Sequence, residues 1–349
     1  MTDWLAVLGP PELAALVLVL GMNVYVLTGG ADFGGGVWDL FASGPRRDAQ
    51  RALIAHSIGP IWEANHVWLI LVIVVLFTAF PPAFATLGTI LHIPLTLMLL
   101  GIVLRGSSFA FRSYGAHDRA SQERWGRIFA SASIVTPLLL GAIVGAIASG
   151  AVGEAASALS ALQTEDGASP RSMFQTIFLA PWLAPFPLAI GALALAMFAF
   201  LAAVYLALAA RDEALRGDFR RRGLGAAVAM IAAGVAGLAL APRSDAGFAG
   251  PALVFELLAG VAGIAAIRAL WTRRWSLARL AAGAQVSLVL WGWVLAQYPF
   301  VIPPAQTLRA VAAPRVTLVF LLCGLLGGAF ILIPSLAYLY RTFASDQRR

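Results

Sequence analysis

The chain has 349 residues, of which 60% are hydrophobic and only 12% charged, with a formal net charge of +7. A soluble domain would carry about a quarter charged residues, so this balance, with a mean hydropathy of +0.85, excludes a soluble globular protein and indicates a polytopic membrane protein. All 24 basic residues are arginines set in short clusters between apolar runs, a topology pattern rather than a phosphate-tracking stripe, and nucleic acid is excluded as a partner.

The opening stretch "MTDWLAVLGP" has no basic n-region and is not expected to be a cleaved signal peptide. A hydrocarbon core of ~30 Å needs about 20 apolar residues. Segments of that kind are predicted near 11–33, 53–80, 83–105, 127–150, 182–210, 222–241, 251–270, 277–298 and 315–341. The fold class is therefore an all-α polytopic membrane protein of nine transmembrane helices. They form one integral membrane domain over 1–349, read as two four-helix bundles plus one extra helix. The connections after segments one, three, five and seven, with the C-terminus, hold 20 of the 24 arginines. That imbalance predicts an external N-terminus and a cytoplasmic C-terminus. Gly141, Gly145 and Ser149 recur at four-residue spacing, which predicts close helix–helix approach. The Ala/Ser-rich stretch 151–181 is expected to be an external connection without catalytic spacing. Cys323 is the only cysteine, which rules out an intrachain disulfide and a thiolate metal cage.

The polar residues inside these segments carry the functional signal. In "SIGPIWEANHVWLILVIVVLF", Glu63 lies twelve residues past Arg51, roughly 18 Å along a helix from the cytoplasmic end. A carboxylate at membrane depth costs about 2.5–3.5 kcal/mol on insertion scales, so it is functional by default. Asp32, in "TGGADFGGGVWDLF", and Arg105, in "LRGSSFAFRSY", are expected at the cytoplasmic rim with Glu63 deeper. Taken alone, Asp32 reads equally as a headgroup-contacting helix-end acid, and Arg105 as an ordinary positive-inside residue. His56 falls seven residues before Glu63, and His92, counted into segment three, falls at Glu63's level. No histidine pairing has haem- or metal-ligand spacing, so no metal site and no catalytic residue is assigned to this chain. "GGADFGGG" follows no strand and is not a nucleotide loop.

"GGADFGGGVWDLF", "RALIAHSIGPIWEANHVWLILVIVVLFTAFPPAFA", "LRGSSFAFR" and "AQYPFVIPP", in this order, resemble subunit II of cytochrome bd-type quinol oxidases. The core of that resemblance is Gly59, Pro60, Trp62, Glu63, Asn65 and Trp68. It implies a heterodimer with subunit I, which in the family holds haems b558, b595 and d and oxidises quinol while reducing oxygen. Subunit II then binds no haem, supports assembly, and carries protons inward from the cytoplasm. The implied proton-path residues here are Glu63, Asp32 and Arg105, with His56 and His92 as polar neighbours on the file. The resemblance also places the chain in a prokaryotic cytoplasmic membrane among lipids, and leaves open a structural quinone and a small single-helix subunit. Two positions depart from the family pattern: Gly29 and Ala110 stand where acids are common. The competing reading is a proton-coupled secondary transporter, which would show inverted repeats and broken helices in both halves. Here the polar residues crowd into the first three segments.

Overall fold

The computed structural model describes residues 9–58, 62–114, 119–162, 170–242 and 250–346. Gly59, Pro60 and His117 lie outside the described residues, as do the side chains of Trp62 and Glu63. The helices are α1 (Pro10–Leu40), α2 (Arg47–Ile58), α3 (Trp62–Ala79), α4 (Pro81–Ile90), α5 (His92–Tyr114), α6 (Arg119–Ala148) and α7 (Ala151–Leu162). They continue as α8 (Pro170–Phe174), a π-turn (Gln175–Leu179), α9 (Ala180–Leu183), α10 (Pro185–Ala209), α11 (Glu213–Leu240), α12 (Pro251–Trp271), α13 (Trp275–Gln297) and α14 (Arg315–Asp346). Between α13 and α14 a short antiparallel hairpin pairs β1 (Phe300–Ile302) with β2 (Gln306–Thr307). Among the described residues eight helices are long and apolar enough to span a membrane, or nine if the bent pair α3–α4 is one span. This is a multi-pass membrane protein.

Three sequence expectations change. The segment predicted at 83–105 is two elements, because α3 stops at Phe80 and the Pro81–Pro82 pair opens α4 at 116° to α3. Only α5 then crosses, and it starts at His92. Depth counted along a straight helix from residue 83 therefore overstates how far His92 lies from the start of its span. The segment predicted at 11–33 continues helical to Leu40 through Gly34, Gly35 and Gly36. Glycine inside a helix costs about 1 kcal/mol relative to alanine, and here packing compensates. A Cβ on Gly34 would collide with the Phe198 carbonyl of α10, and one on Gly36 with Ser133 of α6. The stretch 151–181 also carries structure, namely α7 and the run from α8 into α9.

Lipid-embedded helices gain little from hiding apolar side chains from one another, so their association rests on close backbone approach and interhelical hydrogen bonds. The Gly141/Gly145 expectation is met: a Cβ on Gly141 would lie 2.7 Å from the Gly191 Cα, and one on Gly145 2.7 Å from the Pro187 Cα. That seam joins α6 to α10. The indole of Trp38 ties α1 to α10 by donating to the Ala199 carbonyl at 2.8 Å. Helix α10 sits among α1, α6, α11 and α13, and its residues Phe200, Leu201 and Ala203 are fully enclosed. The arginine-bearing connections gather at one end. There Arg46 bridges to Asp218, Arg220 donates to the Leu270 and Trp271 carbonyls, and Arg273 reaches Glu213.

Candidate functional site

Two parallel helices, α1 and α5, carry a polar ladder. Its inner rung is Asp32 with Arg105, each side chain only 3% exposed. The Arg105 guanidinium donates from Nη1 to Asp32 Oδ2 at 2.7 Å and from Nη2 to Oδ1 at 2.6 Å. Nη2 also reaches the Asp32 carbonyl at 3.0 Å, and Nε donates to Ser133 Oγ of α6 at 3.0 Å. The ring faces of Phe33 and Phe129 flank the cation at 5.0 and 4.8 Å. A planar fork with five donors is the side chain able to meet a carboxylate, a carbonyl and a hydroxyl at once.

One heptad further on, toward the arginine-rich end, is a second rung. Arg112 Nη1 donates to Asp39 Oδ2 at 3.0 Å, and Arg51 of α2 stands 3.7 Å from the other carboxylate oxygen. Both rungs join residues 73 positions apart, which fixes the register of α1 against α5. Sequence reading missed Asp39, Arg112 and Arg51. The available signal was the matched spacing of Asp32 to Asp39 and of Arg105 to Arg112, which puts each pair on one helix face.

The rim assignment is thus corrected. Asp32 and Arg105 are enclosed two turns short of the α1 end, and the rim places belong to Asp39, Arg112 and Arg51. The reason is the continuation of α1 through its glycines. Helices α2 and α3 run antiparallel to α1: Arg51 meets Asp39, and further along Leu71 and Val72 pack on Gly21. Between these registers the Glu63 backbone, in the first turn of α3, falls beside about residues 27–30 of α1, within roughly a turn of Asp32.

The remaining motif residues divide. Asn65 is 1% exposed, and neither its amide oxygen nor its nitrogen has a hydrogen-bond partner among the described residues. A buried amide left unpaired costs about 1–3 kcal/mol. Trp68 packs on the enclosed group of Tyr25, Phe33, Ile102 and Phe198. His56 is exposed on α2. His92 opens α5, with Nδ1 2.9 Å from the Thr89 carbonyl and its ring edge-on to Phe178. By the 73-residue register it lies beside residue 19 of α1, roughly 15 Å from the level of Glu63. The expected pairing of these two levels is therefore wrong, for the reason given by the α3–α4 bend. His56, His66 and His92 do not converge, and among the described residues no three His, Cys, Asp or Glu side chains cluster as a metal would require.

A further clasp closes the arginine-rich end. Asp218 of α11 accepts from Arg46 at 2.7 Å and from Gln50 at 2.9 Å, and Arg222 donates to Gln50 and to the Phe41 carbonyl. Its hydrogen bonds to the Asp218 carboxylate hold the Arg46 guanidinium above its usual range, so it is charged at every physiological pH. At the opposite end Arg309 donates to Glu12 at 2.6 Å.

The family model described as cytochrome bd terminal oxidase subunit II matches residues 10–343. Cytochrome bd ubiquinol oxidase subunit 2 of Bacillus subtilis (strain 168) is 33% identical over 128 residues, 37% of each chain. Cytochrome bd-I ubiquinol oxidase subunit 2 of Escherichia coli (strain K12) is 33% identical over 135 residues, 38% of this chain and 34% of the relative. These matches thus span little more than a third of the curated relatives' length. The structure of bd oxidase from Geobacillus thermodenitrificans superposes on 96% of this chain and 98% of its own with a TM-score of 0.76, at 18% identity, which shows a shared fold.

Proposed function

The chain belongs to the cytochrome bd terminal oxidase subunit II family, and from that premise we propose that it is the membrane partner of a haem-bearing subunit I in a quinol-oxidising, oxygen-reducing complex. In this reading subunit I holds haems b558, b595 and d, and this chain supports assembly and delivers protons. The match over residues 10–343 is the observation that carries it, and it does not favour the transporter alternative. The arginine-rich end then faces the cytoplasm of a prokaryotic inner membrane, by the positive-inside bias.

Within this chain Glu63 is the proton-exchanging group. It starts α3 beside the Asp32 turn, and the partnerless amide of Asn65 is its near neighbour in sequence. Asp32 acts differently, because both of its oxygens accept from Arg105. Both carboxylate oxygens are committed to a bidentate pair in a desolvated site. The pair therefore serves as a fixed, neutral brace, and Asp39 with its two arginines marks the cytoplasmic approach. His56, exposed between the two, is the collecting group. Glu63→Gln should assemble normally but turn over slowly, since the amide keeps the shape and cannot titrate, whereas Glu63→Asp should keep much of the activity. The test is purification of the tagged chain in mild detergent, an absorption spectrum, and oxygen uptake. A colourless chain without a second subunit would sink the complex, and wild-type turnover of an assembled Glu63→Gln complex would sink the relay.

A further inference from the structure

At the arginine-rich end, a cavity of about 190 Å³ opens between α2 and α6. Arg47 and Arg51, one turn apart on α2, form one wall. Gln122, Glu123, Gly126, Arg127 and Ala130 of α6 form the other, and Leu40 lies at the end of α1. Three arginines thus line a space whose wall includes one acidic residue, Glu123. Two of them are unspent: among the described residues neither Arg47 nor Arg127 makes an ion pair or a side-chain hydrogen bond. The third, Arg51, is anchored beside Asp39, yet its buried Nε has no hydrogen-bond partner. Arg47 is also the first residue of α2, so the cavity opens at the positive end of a twelve-residue helix.

The surroundings indicate which anion. Leu40, on the cavity wall, is 41% exposed, and the next residue, Phe41, is 56% exposed. On the α5–α6 side Phe111 stacks on Trp125 with ring centroids 4.6 Å apart, and Phe111 is half exposed. Exposed aromatic rings beside arginines are the composition of a membrane–water interface, where amphipathic rings sit at headgroup level. We propose that this cavity binds the phosphate of an anionic phospholipid headgroup, with Arg47, Arg51 and Arg127 as its cationic wall and exposed Leu40 on the side of the acyl chains. Guanidinium forks bind phosphate bidentately and with less desolvation than ammonium groups.

The test uses the intact, detergent-purified complex. Native mass spectrometry would count phosphatidylglycerol retained by the wild type, by Arg47→Gln/Arg127→Gln, and by Arg274→Gln/Arg279→Gln, which removes the same charge from exposed positions on the same end. Arg51 is left in place because it supports Asp39. With each charge-assisted guanidinium–phosphate contact worth roughly tenfold, the cavity double variant should bind added phosphatidylglycerol about 100-fold more weakly. The control pair and the wild type should agree, and phosphatidylcholine should not substitute. Equal weakening in both double variants would reduce the effect to general surface charge and overturn the site. Displacement of the lipid by millimolar inorganic phosphate would assign the cavity to a free anion and overturn the lipid. Haem content and turnover, measured alongside, would show that a lost lipid is not a lost fold.

Discussion

The Asp32–Arg105 pair offers the sharpest test of how this bundle is held. Both side chains are 3% exposed and share two hydrogen bonds of 2.6 and 2.7 Å, so removing one partner strands a charge in a desolvated site. Breaking such a pair costs about 3–5 kcal/mol. Arg105→Ala should fall at the upper end, because it also releases Ser133 and empties the space between Phe33 and Phe129. Asp32→Asn should fall at the lower end, since the amide oxygen still accepts and the Asp32 carbonyl and Ser133 contacts survive. Replacing both partners, as Asp32→Leu with Arg105→Met, removes the charges together and should recover most of the loss. Unfolding of such complexes is commonly irreversible, so the assay is the half-life of the monodisperse size-exclusion peak at a fixed elevated temperature. With each 1.4 kcal/mol worth about tenfold, a loss of about 3 kcal/mol shortens that half-life by roughly 100-fold if the pair is already broken at the unfolding barrier. A wild-type half-life for Arg105→Ala, or a double variant worse than both singles, would refute the reasoning.

The other predictions follow from neighbouring geometry. Asp39→Asn should cost less than Asp32→Asn, about 1–2 kcal/mol in the same assay, because Arg112 and Arg51 are 20% and 29% exposed and partly hydrated. Gly34→Ala should destabilise by about 1–3 kcal/mol as α1 is pushed off the Phe198 carbonyl. Gly324→Ala, with nothing within 4 Å of the added methyl, should be neutral or slightly stabilising in the same heat-inactivation measurement. His92→Ala should leave the pH profile of oxygen uptake unchanged, because His92 lies at the opposite end of α5 from the ladder's outer rung. A displaced profile would restore it to the proton path. Reporter fusions after Gly44, Gly217 and Thr272 should all read cytoplasmic, and two inverted reports would overturn the orientation.

Much of this architecture can be read from the sequence because hydrocarbon imposes its own rule: helices long enough to cross, ended by charge. The alternation of arginine clusters anticipates which connections share an end, and Arg46 with Asp218 and Arg273 with Glu213 show those connections meeting. What stays hidden is everything that depends on bends and on register. Hydropathy averages over Phe80–Pro82, so it cannot see α4 turn aside, and a depth counted across that turn puts His92 on the wrong level. Likewise, three consecutive glycines read as a helix end when the packing of Phe198 and Ser133 against them is unknown. That one error moved Asp32 from the enclosed interior to the rim and hid Asp39 altogether. Yet the correction was latent in the spacing. Two acids and two arginines, each pair one heptad apart, match rung for rung, and on parallel helices they pair as Asp32 with Arg105 and Asp39 with Arg112. The separate register of α2 and α3 on α1, from Arg51 on Asp39 to Leu71 on Gly21, sets the Glu63 backbone within about a turn of Asp32. In the proposed reading Glu63 is the exchanging acid, and Asp32, both of whose oxygens accept from Arg105, is the fixed one.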